Sequence, residues 1–387
     1  MSRYIANVKK QFKFKHITTW LLVAIALVIL IILSNAGALD RSTTGLLSKI
    51  AYSIILATSL NLVVGFLGEL SLGHAGFACL GAYIGTFAAS YLRESIDSKL
   101  VVIILAMLIG GLVAAVFGLI IGLPALRLKG DYLAIVTLAF GEIVRNIFKN
   151  LPMFGGAMGY ASKTYNQKEL FIIAFVAVII VLILMQNLIR SKHGRAITAI
   201  RDNEIAARAM GINVTFYKLF VFVIAAFFAG IAGVLYGHFT TPILYTKFDY
   251  NFSIEILVMV VLGGMGSING SIISATLITI INFELQAKLS GDLAAVRTLV
   301  YAIILILIVV FNNAPALKPI KERFSLNHLK AKRNAKKAAV IHDDAAEWNR
   351  IETKVKMDTI LTPDLPHNEA VTPDKPDKPA KEDKENG

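Results

Sequence analysis

The chain has 387 residues, of which 56% are hydrophobic and only 17% are charged. This composition excludes a soluble globular protein of this length and indicates an all-α protein that crosses a membrane several times. The net charge of +13 would suggest a nucleic-acid partner in a soluble protein, but here it fits the excess of basic residues in cytoplasmic loops, so no nucleic-acid partner is expected.

Apolar runs long enough to cross about 30 Å of hydrocarbon predict about ten transmembrane helices within residues 17–312, several of them short. A basic cytoplasmic segment, residues 1–16, precedes the first run, for which a cleaved signal peptide is the alternative. With ten alternating spans, most basic clusters fall on one side, so both termini are predicted to be cytoplasmic. The predicted spans are 17–33, 46–66, 77–91, 100–123, 132–148, 170–188, 219–239, 252–262, 271–285 and 299–311.

Two glycine-rich stretches, residues 65–77 and 263–270, interrupt this apolar pattern. At membrane depth, irregular backbone survives only where protein buries it or where it lines a water-filled cavity, so these breaks indicate a translocation pathway. One break in each half of the chain also suggests an internal repeat. Surface turns and close helix packing through small residues are the alternatives. The candidate pathway residues are Gly68, Ser71, Gly73, His74, Gly76, Gly263, Gly264, Gly266 and Ser267.

A polar segment, residues 190–218, separates two apolar spans and predicts one short capped helix. Asp202 or Asn203 can cap its first free N–H groups, Glu204 suits the positive end of the helix dipole, and Gly211 can end the helix. Its apolar face predicts a docking surface, with packing against its own membrane domain as the alternative. This face consists of Ile205, Ala206, Ala209 and Met210.

The composition changes after residue 312. Residues 313–361 form a basic and mixed tail, predicted to be cytoplasmic, whose charge fixes the orientation of the last span, with binding to anionic lipid as the alternative. Residues 362–387 are rich in proline and charge and are predicted to be disordered.

Motifs for catalysis are absent from the chain. It lacks the Gly-x-x-x-x-Gly-Lys-Ser/Thr phosphate loop, hydrolase and zinc motifs, and its single cysteine, Cys79, excludes a cysteine metal site. No catalytic, metal or cofactor site is therefore expected, and the protein is not expected to be an enzyme. Among the ionisable residues near spans, Glu142 and Arg145 are spaced for a structural ion pair, whereas Glu255 and Glu284 are assigned to membrane interfaces.

Four motifs in order carry a family resemblance: residues 61–77 with Gly81-Ala-Tyr83, residues 126–145, residues 194–213 and residues 263–267. They closely resemble the permease subunits of bacterial branched-chain amino acid ABC importers, and the M-type of the two permease subunits most closely. The resemblance covers about residues 46–312. The related urea permeases share much of it, and residues 154–159 lack the Gly-Gly-Pro-x-Gly run associated with the family.

The resemblance implies a subunit of the bacterial cytoplasmic membrane that pairs with a second homologous permease in the lipid bilayer. Two cytoplasmic ATPase subunits would bind and hydrolyse ATP, and an extracytoplasmic binding protein would deliver hydrophobic amino acids. A urea or other amino acid permease, or a stand-alone secondary carrier or channel, is the alternative. The segment that resembles the ATPase coupling element comprises Arg201, Asp202, Asn203, Glu204, Ile205, Ala206, Ala209, Met210 and Gly211.

Overall fold

The structure is a computed structural model that describes residues 40–128, 130–161 and 167–288, together with isolated positions at 25, 296, 299–300, 302–303 and 306. The predictions for residues 1–16, for the first span and for both parts of the tail lie outside the described residues, as does most of the last span.

Regular structure in the described ranges is helical, and one isolated antiparallel bridge joins Tyr160 and Ile243. Two π-helical segments, Leu62–Leu67 and Gly81–Gly85, extend α1 and connect α2 to α3. The helices are α1 (Arg41–Asn61), α2 (His74–Leu80), α3 (Thr86–Ser95), α4 (Lys99–Ala125), α5 (Asp131–Asn150), α6 (Gln167–Arg190), α7 (Lys192–Asp202), α8 (Glu204–Ala209), α9 (Val214–Phe239), α10 (Tyr250–Gly263) and α11 (Ile268–Lys288).

Six helical runs among the described residues are long and apolar enough to cross a membrane. They are Ser42–Leu67, His74–Ser95, Lys99–Ala125, Glu169–Arg190, Val214–Phe239 and Ile268–Lys288. The all-α membrane fold is confirmed, whereas the count of about ten spans is not. The predicted spans at 132–148 and 252–262 correspond to α5 and to the 14-residue α10, which are not among the six.

One face of α4 is exposed and almost wholly aliphatic. Exposed side chains recur every three or four residues along it, the spacing of a single helix face, as expected for contact with lipid tails. The face consists of Leu100, Ile104, Leu108, Leu112, Val116, Leu119 and Leu123.

The opposite face of α4 is built from small residues, and α9 packs closely against it. Gly110, Ala114, Gly118 and Gly122 recur at every fourth position and are buried. A Cβ atom added to Gly230 of α9 would lie 2.6 Å from the Cβ of Ala114. Small-residue packing of this kind brings helix backbones together in membranes, and it places α9 at the centre of the bundle.

α2 is buried along its whole length, and the backbone of its Ala78 packs closely on Gly233 of α9. Its Cys79 is a free thiol with no exposed surface. In the following π-helical segment, the ring of Tyr83 stacks on Phe148 at 4.4 Å, and its hydroxyl donates to the carbonyl oxygen of Ile243 at 2.9 Å. These contacts fix α2 and α5 against the loop that follows α9.

Both predicted helix breaks are shorter than the glycine pattern suggests. Helix continues through Gly65 as a π-helix and ends at Gly68, which has a φ of +82°. Gly65 lies where the backbone of Gly266 leaves no room for a Cβ. Within the two glycine-rich stretches, non-helical backbone is confined to two turns, the first turn (residues 68–73) and the second turn (residues 264–267). His74, Gly76 and Gly263 therefore belong to helices rather than to irregular backbone.

The prediction of a single helix within residues 190–218 accounts for only part of this segment. Three helices lie there: α7, α8 and the start of α9. Ser191 caps α7 by accepting from the backbone N–H groups of His193 and Gly194. Asn203 ends α7 and caps α8. Arg201 and Asp202 thus close α7, and only the residues from Glu204 onward lie in the predicted helix.

Candidate functional site

α8 is a six-residue helix whose two ends are closed by the predicted residues. The Asn203 side-chain oxygen accepts from the backbone N–H of Ala206 at 3.0 Å, so Asn203 rather than Asp202 is the cap. At the other end Gly211 has a φ of +80°, and the Ile212 N–H donates to the carbonyl oxygen of Ala207. These bonds satisfy terminal backbone groups and allow so short a helix to persist.

The apolar face of α8 points away from the other described residues. Ile205 and Met210 each expose 83% of their surface, and Ala206 and Ala209 are also exposed. Only Ala207 is buried among the residues of α8. The alternative in which these four side chains pack against their own membrane domain is therefore wrong for the described part of the chain. We name Ile205, Ala206, Ala209 and Met210 the apolar face.

A buried lysine ties α8 to the first turn. Lys218, in the first turns of α9, lies 2.5 Å from Glu69 Oε1 and 3.1 Å from Glu204 Oε2, and only 7% of its side chain is exposed. Glu204 also pairs with Arg208 within α8 at 3.0 Å. The attraction between Lys218 and these two carboxylates is stronger than that of a solvent-exposed ion pair, because water screens buried charges less.

A second link runs through Arg201, the penultimate residue of α7. Its Nη1 donates to the carbonyl oxygen of Gly65 at 3.0 Å, while its other nitrogens bind Asp202. A Cβ on Gly68 would lie 2.7 Å from Arg201 Cγ. The guanidinium thus binds a backbone carbonyl at the end of the first transmembrane run, where the π-helix leaves it accessible.

Asn61, the last residue of α1, then joins this helix to the second turn. Its amide nitrogen donates to Ser267 O at 3.1 Å and to Ser271 Oγ at 2.8 Å, and its oxygen accepts from Gly266 N at 2.8 Å. A Cβ on Gly65 would overlap the backbone nitrogen of Gly266. The two glycine breaks, about 200 residues apart in sequence, are therefore in direct contact, and one amide side chain connects them.

Three of the predicted pathway glycines make close packing contacts. A Cβ on Gly73 would lie 2.7 Å from Thr137 O, and one on Gly76 would lie 2.8 Å from Gly141 Cα. Gly263 packs against the backbone of Gly270. These contacts are those of the small-residue alternative, and the role of these glycines in a pathway stays a prediction.

The polar members of the predicted pathway are hydrogen-bonded. His74 is buried with its Nε2 2.9 Å from Ser59 Oγ, the arrangement expected for a structural histidine. Ser71 is also buried, and Ser267 accepts from Gly270 N at 3.1 Å. Gly264, with a φ of +87°, has open space where a Cβ would stand.

The ion pair expected between Glu142 and Arg145 is present. Arg145 Nη2 lies 2.6 Å from Glu142 Oε2, and both side chains are about one quarter exposed. The pair lies on α5, apart from the network formed by Lys218, Arg201 and Asn61, and it neutralises two charges on a helix beside lipid.

The sequence did not identify Asn61, Glu69 or Lys218 as site residues. The sequence did contain a signal for Asn61 and Lys218, because each places a polar side chain within an apolar span. Burying such a side chain costs free energy unless it has a hydrogen-bond or charge partner. Their partners could not be identified, since they lie far away in sequence.

Comparison with known proteins decides the family. A family model described as a branched-chain amino acid transport system permease component matches residues 42–310. The chain belongs to this permease family. This family assignment agrees with the resemblance carried by the four sequence motifs. No solved structure matches the chain.

Among curated relatives of this permease, the high-affinity branched-chain amino acid transport system permease protein LivM of Escherichia coli K12 is 35% identical over 298 residues, which cover 67% of this chain and 68% of the relative. LivM of Salmonella typhimurium LT2 is 34% identical, covering 64% of this chain and 63% of the relative. LivH of E. coli K12 is 23% identical, covering 66% and 88%. The chain thus spans about two thirds of the length of the LivM relatives.

Proposed function

We propose that this chain is a permease subunit of an ATP-driven importer of branched-chain amino acids in the bacterial cytoplasmic membrane, with residues 190–218 on the cytoplasmic side. It pairs with a second homologous permease, since relatives of both the LivM and LivH kinds match it. Two ATPase subunits supply ATP hydrolysis, and an external binding protein delivers the substrate. The chain itself is not an enzyme.

The observation that carries this proposal is the exposed apolar face on a helix that is tied to both glycine turns. A docked ATPase would cover Ile205 and Met210, and burial of such side chains stabilises a complex. Lys218 connects α8 to the first turn. Arg201 connects α7 to Gly65 at the end of the helix before that turn, and Asn61 connects the same helix to the second turn. ATPase closure would therefore displace the two turns together, as a change between two packed arrangements.

Placing a charge in the apolar face tests docking. We expect Ala209→Glu or Met210→Asp to abolish ATP-dependent uptake, because an unpaired charge would be buried in the interface at a cost of about 3–5 kcal/mol. ATPase subunits should no longer co-purify with the permease, while membrane insertion is unchanged. The measurements are affinity purification of the complex and uptake of labelled leucine.

Lys192→Asp is the matched control, because Lys192 is exposed at the start of α7 and away from the apolar face. Normal uptake and normal ATPase recovery with Met210→Asp would exclude the docking role. Competition between leucine and urea for uptake by the unmodified complex tests the substrate class.

A second variant separates docking from transmission. We expect Arg201→Met to retain the ATPase subunits but to lower uptake about tenfold, because it removes a charge-assisted bond to Gly65 O while preserving the stem packed on Gly68. The ratio of uptake to ATP hydrolysis is the measurement. An unchanged ratio would mean that movement of α7 does not reach the first turn through Arg201.

A further inference from the structure

α5 runs along the bundle from one end of α9 to the other. It follows α4, where a Cβ on Gly122 would lie 2.8 Å from Leu219 Cδ1 in the first turns of α9. Near its other end Phe148 stacks on Tyr83, whose hydroxyl binds Ile243 just beyond α9. The 20 residues of α5 extend about 30 Å, the thickness of the hydrocarbon layer. α5 therefore has the length and placement of a spanning helix, although it is not among the six strongly apolar runs.

Polar side chains recur at every fourth position in the second half of α5. We name Glu142, Asn146 and Asn150 the polar stripe. Asn146 and Asn150 are exposed, and 26% of the Glu142 side chain is exposed. Ile143 and Ile147, which lie beside the stripe, expose 59% and 47% of their surface. A shallow groove of about 550 Å³ follows the stripe. The exposed face of α4 is aliphatic, so the two helices present different chemistry to their surroundings.

Hydrogen-bonding groups of the polar stripe are left over. Arg145 donates from Nε at 2.9 Å and lies with Nη2 at 2.6 Å from one oxygen of Glu142, Oε2. The amide nitrogens of Asn146 and Asn150 each donate to the backbone carbonyl oxygen one turn earlier, at 2.8 Å. Within the described part of the chain, Glu142 Oε1 and both amide oxygens have no hydrogen-bond donor. Three acceptors therefore point along one face with capacity to bind a partner.

Lipid is a poor environment for these acceptors. Glu142 lies about two turns before the end of α5 and Asn146 about one, which places them about 11 Å and 5 Å inside that end. Hydrocarbon offers no hydrogen bonds at this depth, so polar groups facing it cost free energy even after Arg145 neutralises the carboxylate. The stripe therefore needs a polar surface within the membrane, which a protein outside the bilayer cannot supply.

We propose that the polar stripe is the surface on which the second permease pairs with this chain. Two homologous subunits are related by an approximate twofold axis, which brings like faces together. A side-chain amide carries both donors and an acceptor, so an amide stripe is complementary to a similar stripe on the partner. Ile143 and Ile147 add apolar contact beside it. The inference rests on the proposed function and adds the position of the permease interface to it.

Site-specific photocrosslinking tests the position of this interface. p-Benzoylphenylalanine is incorporated in place of Ile143 or Ile147, and the chain is expressed with the second permease, the ATPases and the external binding protein. After irradiation of the membranes, we expect a covalent product that contains both permeases, because the benzophenone lies against the partner. Different affinity tags on the two permeases identify the product by immunoblotting.

Leu112 is the matched control position, because it is an aliphatic residue on the exposed face of α4 with 58% of its surface exposed. p-Benzoylphenylalanine in place of Leu112 should give no product with the second permease. A product from Leu112 but from neither α5 position would overturn the proposal. A product that joins two copies of this chain would also overturn it, because the partner would then be a second copy.

Removing one amide distinguishes a paired surface from a lipid-facing one. Asn146→Leu keeps a similar size but loses the hydrogen-bonding groups. We expect the amount of second permease recovered with the chain to fall about 3- to 15-fold, the range for one hydrogen bond between helices in a membrane. Asn146→Gln retains the amide and should recover part of the loss. Unchanged recovery with Asn146→Leu is the result for a stripe that faces lipid, and it would overturn the proposal.

Thiol labelling distinguishes a protein partner from water. In the assembled complex, Asn146→Cys should be protected from a charged methanethiosulfonate reagent, because the second permease covers it. Cys79 is buried and gives no background reaction. Rapid modification of Asn146→Cys would mean that the stripe lines a water-filled space, and the pairing surface would be overturned.

The two proposals fail in different ways. If the unmodified chain is recovered without any second permease, the proposed pairing fails, and the interface fails with it. If the second permease is recovered in full but neither crosslinks to α5 nor depends on Asn146, only the interface is overturned.

Discussion

Replacing Lys218 with methionine is expected to destabilise the permease by about 3–5 kcal/mol, because it leaves two shielded carboxylates facing each other without their shared cation. Methionine keeps the unbranched stem, so the effect isolates the charge. Glu69 has only 13% of its side chain exposed, so its unpaired charge should account for most of the lost stability. Thermal unfolding of the detergent-solubilised protein, followed by size-exclusion chromatography, measures it.

Lys192→Met removes an exposed lysine from α7 and should leave thermal stability unchanged. The double variant Lys218→Met/Glu69→Gln should recover part of the lost stability, since only Glu204 then lacks its buried partner. If the single and double variants unfold at the same temperature, repulsion between the carboxylates is not the cause.

Gly65→Ala is expected to separate the two glycine turns. Its Cβ would overlap Gly266 N and Asn61 Oδ1, so the second turn must move away. Overpacking costs about 1–3 kcal/mol, and each polar group of Asn61 left unpaired adds about 1–3 kcal/mol. We expect a large fall in thermal stability together with loss of leucine uptake.

Gly141→Ala is the matched control because it also adds a methyl group to a buried helical glycine, but its Cβ would have only ordinary contacts, the nearest at 3.7 Å. The control should unfold at the same temperature as the unmodified protein or at a higher one, since alanine has a higher helix propensity than glycine. Similar losses for Gly65→Ala and Gly141→Ala would show that adding bulk anywhere in the bundle has this effect.

The helical membrane fold and the positions of most spans could be predicted, because apolar runs such as that of α4 carry a signal at every residue. Helix ends were less predictable. Glycine has a low helix propensity, yet the helix continues through Gly65, and Gly263 is still helical as the last residue of α10. Both glycines pack closely on the backbone of another glycine, Gly266 and Gly270 respectively.

The capped helix at the candidate site was predictable from local spacing, and Asn203 and Gly211 have the expected roles. Its polar links could not be predicted, because Arg201, Asn61 and Lys218 each bind a partner that lies more than one hundred residues away in sequence. One side chain's chemistry indicates that a partner exists. Only the three-dimensional arrangement identifies it.

Cys79 offers an experimental advantage. It is the only cysteine in the chain and has no exposed surface, so water-soluble thiol reagents will select a cysteine introduced elsewhere. Spin labels at the exposed positions Ile205 and Met265 can therefore be attached with Cys79 left in place. The distance between them, measured with and without ATP, would record how far the apolar face moves relative to the second turn.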